Sequence, residues 1–455
     1  MKPTRLATLA CLLAAAANVN AEAPSGTEPG AQSATPDDIR ADAPAGAAGI
    51  PQITNPQISL ILDGVAYADD LRGAGNSWLD EADGILHAHH GDEHAHEHGA
   101  IEEGLNLRGA ELVLSATVDT LFDAYANLAF DLDGVELEEA HFTTRALPAG
   151  WQLKGGKFFS GIGYANSRHP HSWEFVDQNL AYLSLLGVHG LNDTGLQVTW
   201  SPATDTYLQF GAEVLQGHEQ EKFGAAVDLD DLAAALNSDP EALGMPAADR
   251  RGPQIYTGFV KIGPDLGTDH ALQLGLSYAL HKGHQEAHEE GDPVITDIFY
   301  TEGEAKLLGI EAVYKRSATG RQGKGTWNVQ AEYLRLETDG TIVFHSTPAE
   351  IGGILAGEQD AFYLQAIHGF APRWQAGLRY DATGMNSETR EGGVATALEE
   401  SSRLSAVLTF RPSEYSFLRL QLADADIAAD GAREQFTQVM LQYNLSLGAH
   451  GAHRF

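Results

Sequence analysis

The sequence predicts an all-β fold: a transmembrane, antiparallel, up-and-down β-barrel of about sixteen strands. Three observations carry that prediction. Apolar and polar residues alternate in segments of about ten along the body of the chain. The connections between segments are short on one side and long on the other, as in barrels with short periplasmic turns and long extracellular loops. No apolar run reaches the ~18 residues of a membrane helix, so a membrane-spanning chain of this kind must cross with strands.

The 455 residues carry 28 Lys+Arg against 63 Asp+Glu, a formal net charge of −35, and 43% are hydrophobic. That is enough apolar side chain for a large folded body. A surface this negative repels phosphate backbones, which excludes nucleic acid and makes cations the natural partners.

The chain opens with a basic Met1-Lys2-Pro3-Thr4-Arg5, then an apolar run from Leu6 to Ala17 and the short residues Val19-Asn20-Ala21. Residues 1–21 therefore read as a secretory signal peptide. The single cysteine, Cys11, falls inside it. Too few apolar residues precede Cys11 for a lipoprotein signal, so cleavage after Ala21 is the better reading. Disulfides, thiol catalysis and thiolate metal sites are then excluded from the exported chain. Residues 22–54 are rich in Ala, Pro, Gly, Ser and Asp and read as a disordered periplasmic leader. Residues 55–455 form the barrel.

Strands are expected to begin near residues 57, 105, 122, 136, 151, 195, 206, 254, 270, 304, 326, 360, 374, 402, 415 and 435. Leu272, Leu274, Leu276, Tyr278 and Leu280 alternate with Gln273, Gly275, Ser277 and Ala279. The same period appears in Trp374, Ala376, Leu378, Tyr380 against Gln375, Gly377, Arg379, Asp381, and in Leu404, Ala406, Leu408, Phe410 against Arg403, Ser405, Thr409, Arg411. Period two gives each strand one apolar and one polar face. Tight turns are expected around Asp119-Thr120, Pro148-Ala149-Gly150, Pro202-Ala203-Thr204, Ala371-Pro372-Arg373 and Pro412-Ser413-Glu414. The long connections are 69–104, 161–194, 218–253, 282–303, 338–359 and 385–401. An even strand count puts both barrel ends on the short-turn side. Trp151, Trp200, Trp327 and Trp374 lie near those turns, as an interfacial aromatic girdle requires.

The last strand alternates Val439, Leu441, Tyr443, Leu445 and Leu447 with polar residues and runs on to Phe455. A final amphipathic strand closing on Phe resembles the recognition signal of the outer-membrane barrel assembly machinery. The barrel region as a whole resembles the bacterial porin superfamily, in the general and phosphate-selective size range. The stretch KGGKFFSGIGYANSRHPHSWEFVDQ, Lys154–Gln178, resembles a segment that recurs in poorly characterised porin-like proteins of Gram-negative bacteria, some associated with zinc acquisition. The resemblance implies a non-enzymatic channel in the outer membrane of a Gram-negative bacterium, surrounded by outer-membrane lipid. Its traffic would be passive diffusion of small solutes or metal ions, with no catalytic residue and no required cofactor; the alternatives are a general porin with an incidental His tract or an outer-membrane enzyme or adhesin on the same barrel, and a homotrimer is left open.

Two groups of residues carry expectations about that traffic. The connection 161–194 is the candidate constriction loop. Its Glu174 and Asp177 are expected to face Arg379, Arg403 and Arg419 on the wall, acids against bases across an eyelet; the alternative is that the arginines pair with wall acids such as Asp381. Glu111, Asp123, Glu139, Glu213 and Glu311 are also expected inward, so the lumen leans acidic and cation-favouring.

The second group is the tract HAHHGDEHAHEHG in loop 69–104, with His87, His89, His90, Asp92, Glu93, His94, His96, Glu97 and His98. Imidazole and carboxylate are what Zn²⁺ and other divalent transition metals accept where thiolates are absent. Protonation near the imidazole pKa of ~6.5 would release such a metal. A second cluster holds His284 and His288, which would share a face if that loop is locally helical. The alternative for both is a solvated low-complexity tract with no defined ligand set.

Overall fold

A computed structural model of the chain describes residues 56–80, 82, 101–130, 134–217, 222–224, 227–246, 252–290, 297–318, 322–429 and 431–448. The expected signal peptide (1–21) and leader (22–54) and the tract from His87 to His98 lie outside the described residues, as do His450, His453 and Phe455.

The strands are β1 Gln57–Asp69, β2 Gly104–Thr117, β3 Phe122–Phe130, β4 Val135–Thr144, β5 Trp151–Phe159, β6 Asn192–Trp200, β7 Tyr207–Leu215, β8 Ile255–Gly263, β9 His270–Glu290, β10 Asp297–Arg316, β11 Trp327–His345, β12 Ile354–Ala371, β13 Trp374–Thr383, β14 Glu388–Glu391, β15 Val394–Ala397, β16 Ser401–Ser413, β17 Ser416–Ala429 and β18 Ala432–Gly448. Each long strand pairs antiparallel with its neighbours in sequence. β13 pairs directly with β16, and β1 pairs with both β2 and β18. The sheet therefore closes on itself through sixteen long strands, with β14 and β15 forming a short hairpin on one rim. Closure pairs each of the sixteen long strands on both sides, as a membrane barrel requires.

The two faces are inverted relative to a water-soluble barrel. Leu378 is 59% exposed and Leu404 53%, whereas their neighbours Arg379 and Arg403 are 2% and 0% exposed. The same alternation puts Leu276, Tyr278, Leu418, Leu422, Tyr443 and Leu445 outside. Gln273, Gln421, Gln438 and Gln442 are buried inside. Apolar side chains outward and polar ones inward is the distribution required by a barrel solvated by acyl chains. The aromatic residues near the short turns are outward too. Trp151 stacks on Trp200 at 5.7 Å, Trp200 on Phe210 at 5.6 Å, and Trp374 lies 4.7 Å from Phe410.

The long rim departs from expectation in three places. The connection expected at 282–303 is mostly strand, since β9 runs to Glu290 and β10 starts at Asp297. The expected loop 338–359 is likewise shortened by β11 and β12, and 385–401 contains the β14–β15 hairpin. These rim segments lie beyond the apolar belt, where both faces can be polar and the period-two signature fades. His284 and His288 are thus extended, not helical. Four strand residues separate them by about 13 Å, too far for one ion. His284 Nδ1 lies 2.9 Å from Gly224 O, and His288 stacks on Phe299 at 4.4 Å.

Among the described residues, four short helices decorate the inside and the long rim: α1 Gly75–Asp80, α2 Leu180–Leu186, α3 Leu229–Ala234 and α4 Pro240–Leu243. α1 packs by Leu79 against Ile427, Phe436 and the α2 residues Leu180 and Leu183. α3 supplies Leu232 to a cluster with Val227, Ile298, Tyr300 and Phe344.

Candidate functional site

The segment from Ser160 to Leu191, between β5 and β6, folds into the barrel, and it is where the wall's polar residues converge. Its two ends are tied together first. Asn166 donates from Nδ2 to Ser160 O and Leu191 O, both at 3.0 Å, and its Oδ1 accepts from Leu191 N at 2.7 Å. Gly163 then takes a left-handed conformation at φ +58°. A Cβ there would collide with the Tyr182 hydroxyl and with Glu332 Oε2, so only glycine allows this approach.

That approach brings the loop onto Glu332 of β11, a wall carboxylate at 1% exposure. Its oxygens accept from Tyr164 N and Ala165 N at 2.8 Å each, from Tyr182 Oη at 2.9 Å and from Tyr363 Oη at 2.5 Å. A charged acceptor with four donors offsets its own desolvation. Lys261 Nζ adds a bond to Gly163 O at 2.7 Å.

Further along, the peptide from Glu174 to Gln178 lies against β13, β16 and β17. Asp177 Oδ1 accepts from Arg379 Nη2 at 2.5 Å and Gln421 Nε2 at 2.9 Å; its Oδ2 accepts from Arg403 Nη1 at 3.0 Å. The two guanidiniums reach back to the wall, to Asp381 Oδ2 at 3.0 Å from Arg379 Nε and 3.4 Å from Arg403 Nε. Arg403 Nη2 also donates to Gln178 O at 2.7 Å. Arg419 donates to Phe175 O at 3.0 Å and to Gln442 Oε1 at 2.9 Å. Glu174 is held differently, by Asn328 Nδ2 at 2.9 Å. Asp177 thus meets Arg379 and Arg403 in direct contact rather than across open space, and Asp381 joins them; Glu174 and Arg419 are held by other partners. Burial raises the Asp177 carboxyl, but Arg403 and Arg379 outweigh it and hold the group down at about 2.

α2 follows. Asn179 caps it by accepting from Tyr182 N at 3.0 Å, and Gly187 ends it at φ +78°. Leu180 N donates to Asp381 Oδ1 at 3.1 Å. All seven helical residues are buried. Tyr182, Leu185 and Leu186 pack with Leu307, Leu334, Leu336 and Tyr363 of the wall. Those wall positions are apolar and inward, an exception to the polar lining that exists because the helix covers them.

On the opposite flank the loop meets β2, β3 and β4. His171 Nδ1 lies 2.8 Å from Glu111 Oε1, and His169 Nε2 lies 2.9 Å from Glu139 Oε1. His169 Nδ1 lies 3.2 Å from Glu138 Oε2. Burial favours the neutral His169 ring, yet Glu138, Glu139 and Glu111 together raise its pKa well above the usual histidine value. The other expected inward acids are also placed inside: Glu213 at 2% and Glu311 at 3% exposure. Asp123 is half-exposed and 3.3 Å from Arg145.

An uncharacterized protein of Aquifex aeolicus (strain VF5) is 36% identical over 409 residues, covering 88% of this chain and 80% of that one. The chain belongs to that protein's family. No family model matches it. Among solved structures the chain is similar to the outer membrane channel DcaP of Acinetobacter baumannii, at TM-score 0.49 and 12% identity over 86% of this chain and 97% of that one. It is also similar to outer-membrane expressed OmpT of Vibrio cholerae, at TM-score 0.48 and 9% identity over 86% and 97%. A third is OprB of Pseudomonas putida, at TM-score 0.45 and 10% identity over 86% and 94%. Likenesses at this level bear on neither solute nor activity.

Sequence reasoning does not single out Glu332, Glu138, His141 or His169. For Glu332 no signal exists beyond an inward register. For Glu138 a signal is present: Glu138-Glu139 breaks the alternation of β4, which otherwise reads Leu137, Ala140, Phe142 against Glu139, His141, Thr143.

Proposed function

We propose that this protein is a porin-type channel of the outer membrane of a Gram-negative bacterium, passing small solutes by passive diffusion. One observation supports it above the rest: a closed barrel with apolar side chains outside and charged ones inside, narrowed by its own infolded segment. The segment 160–191 is the constriction, with Glu174, Asp177, Arg379, Arg403 and Arg419 forming its basic-wall side. Glu111, Glu139, Glu213 and Glu311 tilt the lumen toward cations. The His87–His98 tract acts as a multivalent collector, raising the local concentration of Zn²⁺ or a similar ion at the mouth. The metal is cargo, not a resident cofactor, and the channel carries out no chemistry. Assembly would follow the barrel machinery into outer-membrane lipid, with a homotrimer left open.

Planar-bilayer recording of the full chain tests the reading. Discrete conductance steps, a reversal potential of cation sign in a KCl gradient, and a Zn²⁺-dependent shift lost when the six histidines of 87–98 become alanine are expected. A barrel that inserts and conducts nothing overturns the channel; an anion-sign potential overturns its selectivity.

A further inference from the structure

The flank of the infolded segment opposite the arginines carries a second site. We propose that Glu111, Glu138 and His169 bind a divalent transition-metal cation inside the barrel, clipping the segment to strands β2–β4. The site rests on residues of the wall and loop, not on the 87–98 tract or on the channel reading.

The ligand set depends on a break in the β-ladder. On β3 and β4, Asn127 pairs with Glu139 but the next residue, Leu128, pairs with Leu137. Glu138 is therefore the extra residue of a bulge, and bulges re-aim side chains. Without it, one of two consecutive glutamates would face lipid. With it, Glu138 is 6% and Glu139 9% exposed, while Leu137 and Phe142 stay outside at 43% and 39%.

One atom each from Glu111, Glu138 and His169 lies within 4.8 Å of the others. His169 Nδ1 is 3.2 Å from Glu138 Oε2 and 4.0 Å from Glu111 Oε2. Ligands about 2.0–2.2 Å from a tetrahedral ion stand about 3.4 Å apart, so with every pair within 4.8 Å no edge of the triangle needs to close by more than about 1.4 Å. Between them sits Asn127 Nδ2, 2.7 Å from Glu138 Oε2, 3.1 Å from Glu111 Oε2 and 3.3 Å from His169 Nδ1. The three atoms converge on a point that already favours a positive group. Rotation of that amide would offer its oxygen, which has no hydrogen-bond partner among the described residues, as a fourth ligand.

The surroundings match those of metal-bound histidines. His169 uses its other nitrogen, Nε2, on the Glu139 carboxylate at 2.9 Å, and Glu139 Oε2 lies 3.6 Å from His141 Nε2. A carboxylate behind a ligating imidazole fixes the ring and strengthens its donor atom. His171 stacks on His169 at 5.6 Å and holds the other oxygen of Glu111 at 2.8 Å. Imidazole and carboxylate without sulfur suit Zn²⁺, Co²⁺, Mn²⁺ or Ni²⁺. Two of the ligands, Glu111 and Glu138, also line a cavity shared with Arg108, Arg168 and His189.

Co²⁺ titration and Zn²⁺ competition against a chromophoric chelator, on the full chain in detergent with the 87–98 histidines replaced by alanine, test the site. One ion per chain should remain. His169→Gln and Glu138→Gln should each weaken binding at least about 100-fold, and Glu139→Gln about 10–100-fold, with folding checked by heat-modifiable gel mobility. A folded tract-substituted barrel that binds no ion, or His169→Gln with unchanged affinity, overturns the proposal. Where a variant fails to fold, X-ray absorption of the Zn²⁺-loaded parent decides. A shell of imidazole nitrogen and carboxylate oxygen supports the site, and a shell without imidazole overturns it.

Discussion

The infolded segment is gripped on two sides by opposite chemistries. On β13, β16 and β17 the wall is basic and the segment supplies the acid: Asp177 against Arg379 and Arg403. On β2 and β4 the wall is acidic and the segment supplies imidazoles: His169 and His171 against Glu111, Glu138 and Glu139. Guanidinium stays charged at any working pH, and Asp177 is held ionised far below neutrality. The arginine side is therefore a fixed clamp. If the proposed metal site holds, the histidine side exchanges a proton for a metal, and its grip depends on what the medium contains. The loop thus has two anchors, and only one of them is adjustable.

The largest effect should come from breaking the fixed clamp. Asp177→Asn leaves two guanidiniums facing a neutral amide in a buried site. Losing one partner of a buried ion network costs about 3–5 kcal/mol. The segment should leave the wall between Glu174 and Gln178, raising single-channel conductance and lowering the temperature at which gel mobility shifts. Restoring charge balance by combining Asp177→Asn with Arg403→Met should recover much of the loss, because residues in one network are not additive. Two losses that simply add would mean the clamp is not a unit.

The next effect isolates the wall's third hold. Glu332→Gln keeps one acceptor oxygen but turns an amide NH₂ toward donors from Tyr164, Ala165, Tyr182 and Tyr363. Hydrogen bonds to a charged group are each worth about 1.5–3 kcal/mol, so a net loss of about 2–3 kcal/mol is expected. The change should appear as protease nicking near Gly163 without the conductance jump of Asp177→Asn. Equal conductance changes in both variants would erase the distinction between clamp and support.

These contrasts also show how much of the molecule is legible in its sequence. Lipid demands apolar atoms outward at every second residue, so a strand that carries Trp374, Ala376, Leu378 and Tyr380 announces itself. The arginines and Asp177 are readable as a pair because a lumen short of bases makes each inward arginine conspicuous. The part of Asp381 is readable as the arginines' alternative partner, but their direct contact with Asp177 is not, since the depth to which a loop inserts is set by tertiary contacts that no local pattern carries. Glu332 has no local mark at all. The long β9–β10 hairpin escapes the pattern for a physical reason: beyond the membrane both faces are wet, and His281–Glu290 carries no period. The bulge at Glu138 is legible only as a disturbance.

Acid sharpens the contrast between the anchors further. A carboxylate whose pKa is depressed in the folded state contributes stability that is fully present above its ordinary value near ~3.9 and lost only as pH falls through the depressed one. For Asp177 that window runs from about 4 down to about 2. The segment should therefore still resist pepsin at about pH 3, where unpaired aspartates are largely protonated, and lose that resistance toward about pH 2. Detachment already complete at the upper end of that window would place the hold elsewhere.

The smallest effect is a control on the outer rim. Arg433 pairs with Asp426 at 2.7 Å and Glu399 at 3.2 Å, but Arg433 and Glu399 are exposed and Asp426 is only half-buried. Solvent and salt screen such pairs to ~1 kcal/mol at most, and often to nothing measurable. Arg433→Ala should leave conductance and the gel-shift temperature where they were. Arg403 carries the same charge on the same strand bundle, yet its removal alone should destabilise strongly, since it leaves the buried Asp177 and Asp381 sharing Arg379 as their one guanidinium. If the rim arginine mattered as much as the buried one, net charge and not desolvation would govern this barrel, and the two-anchor account of the infolded segment would lose its basis.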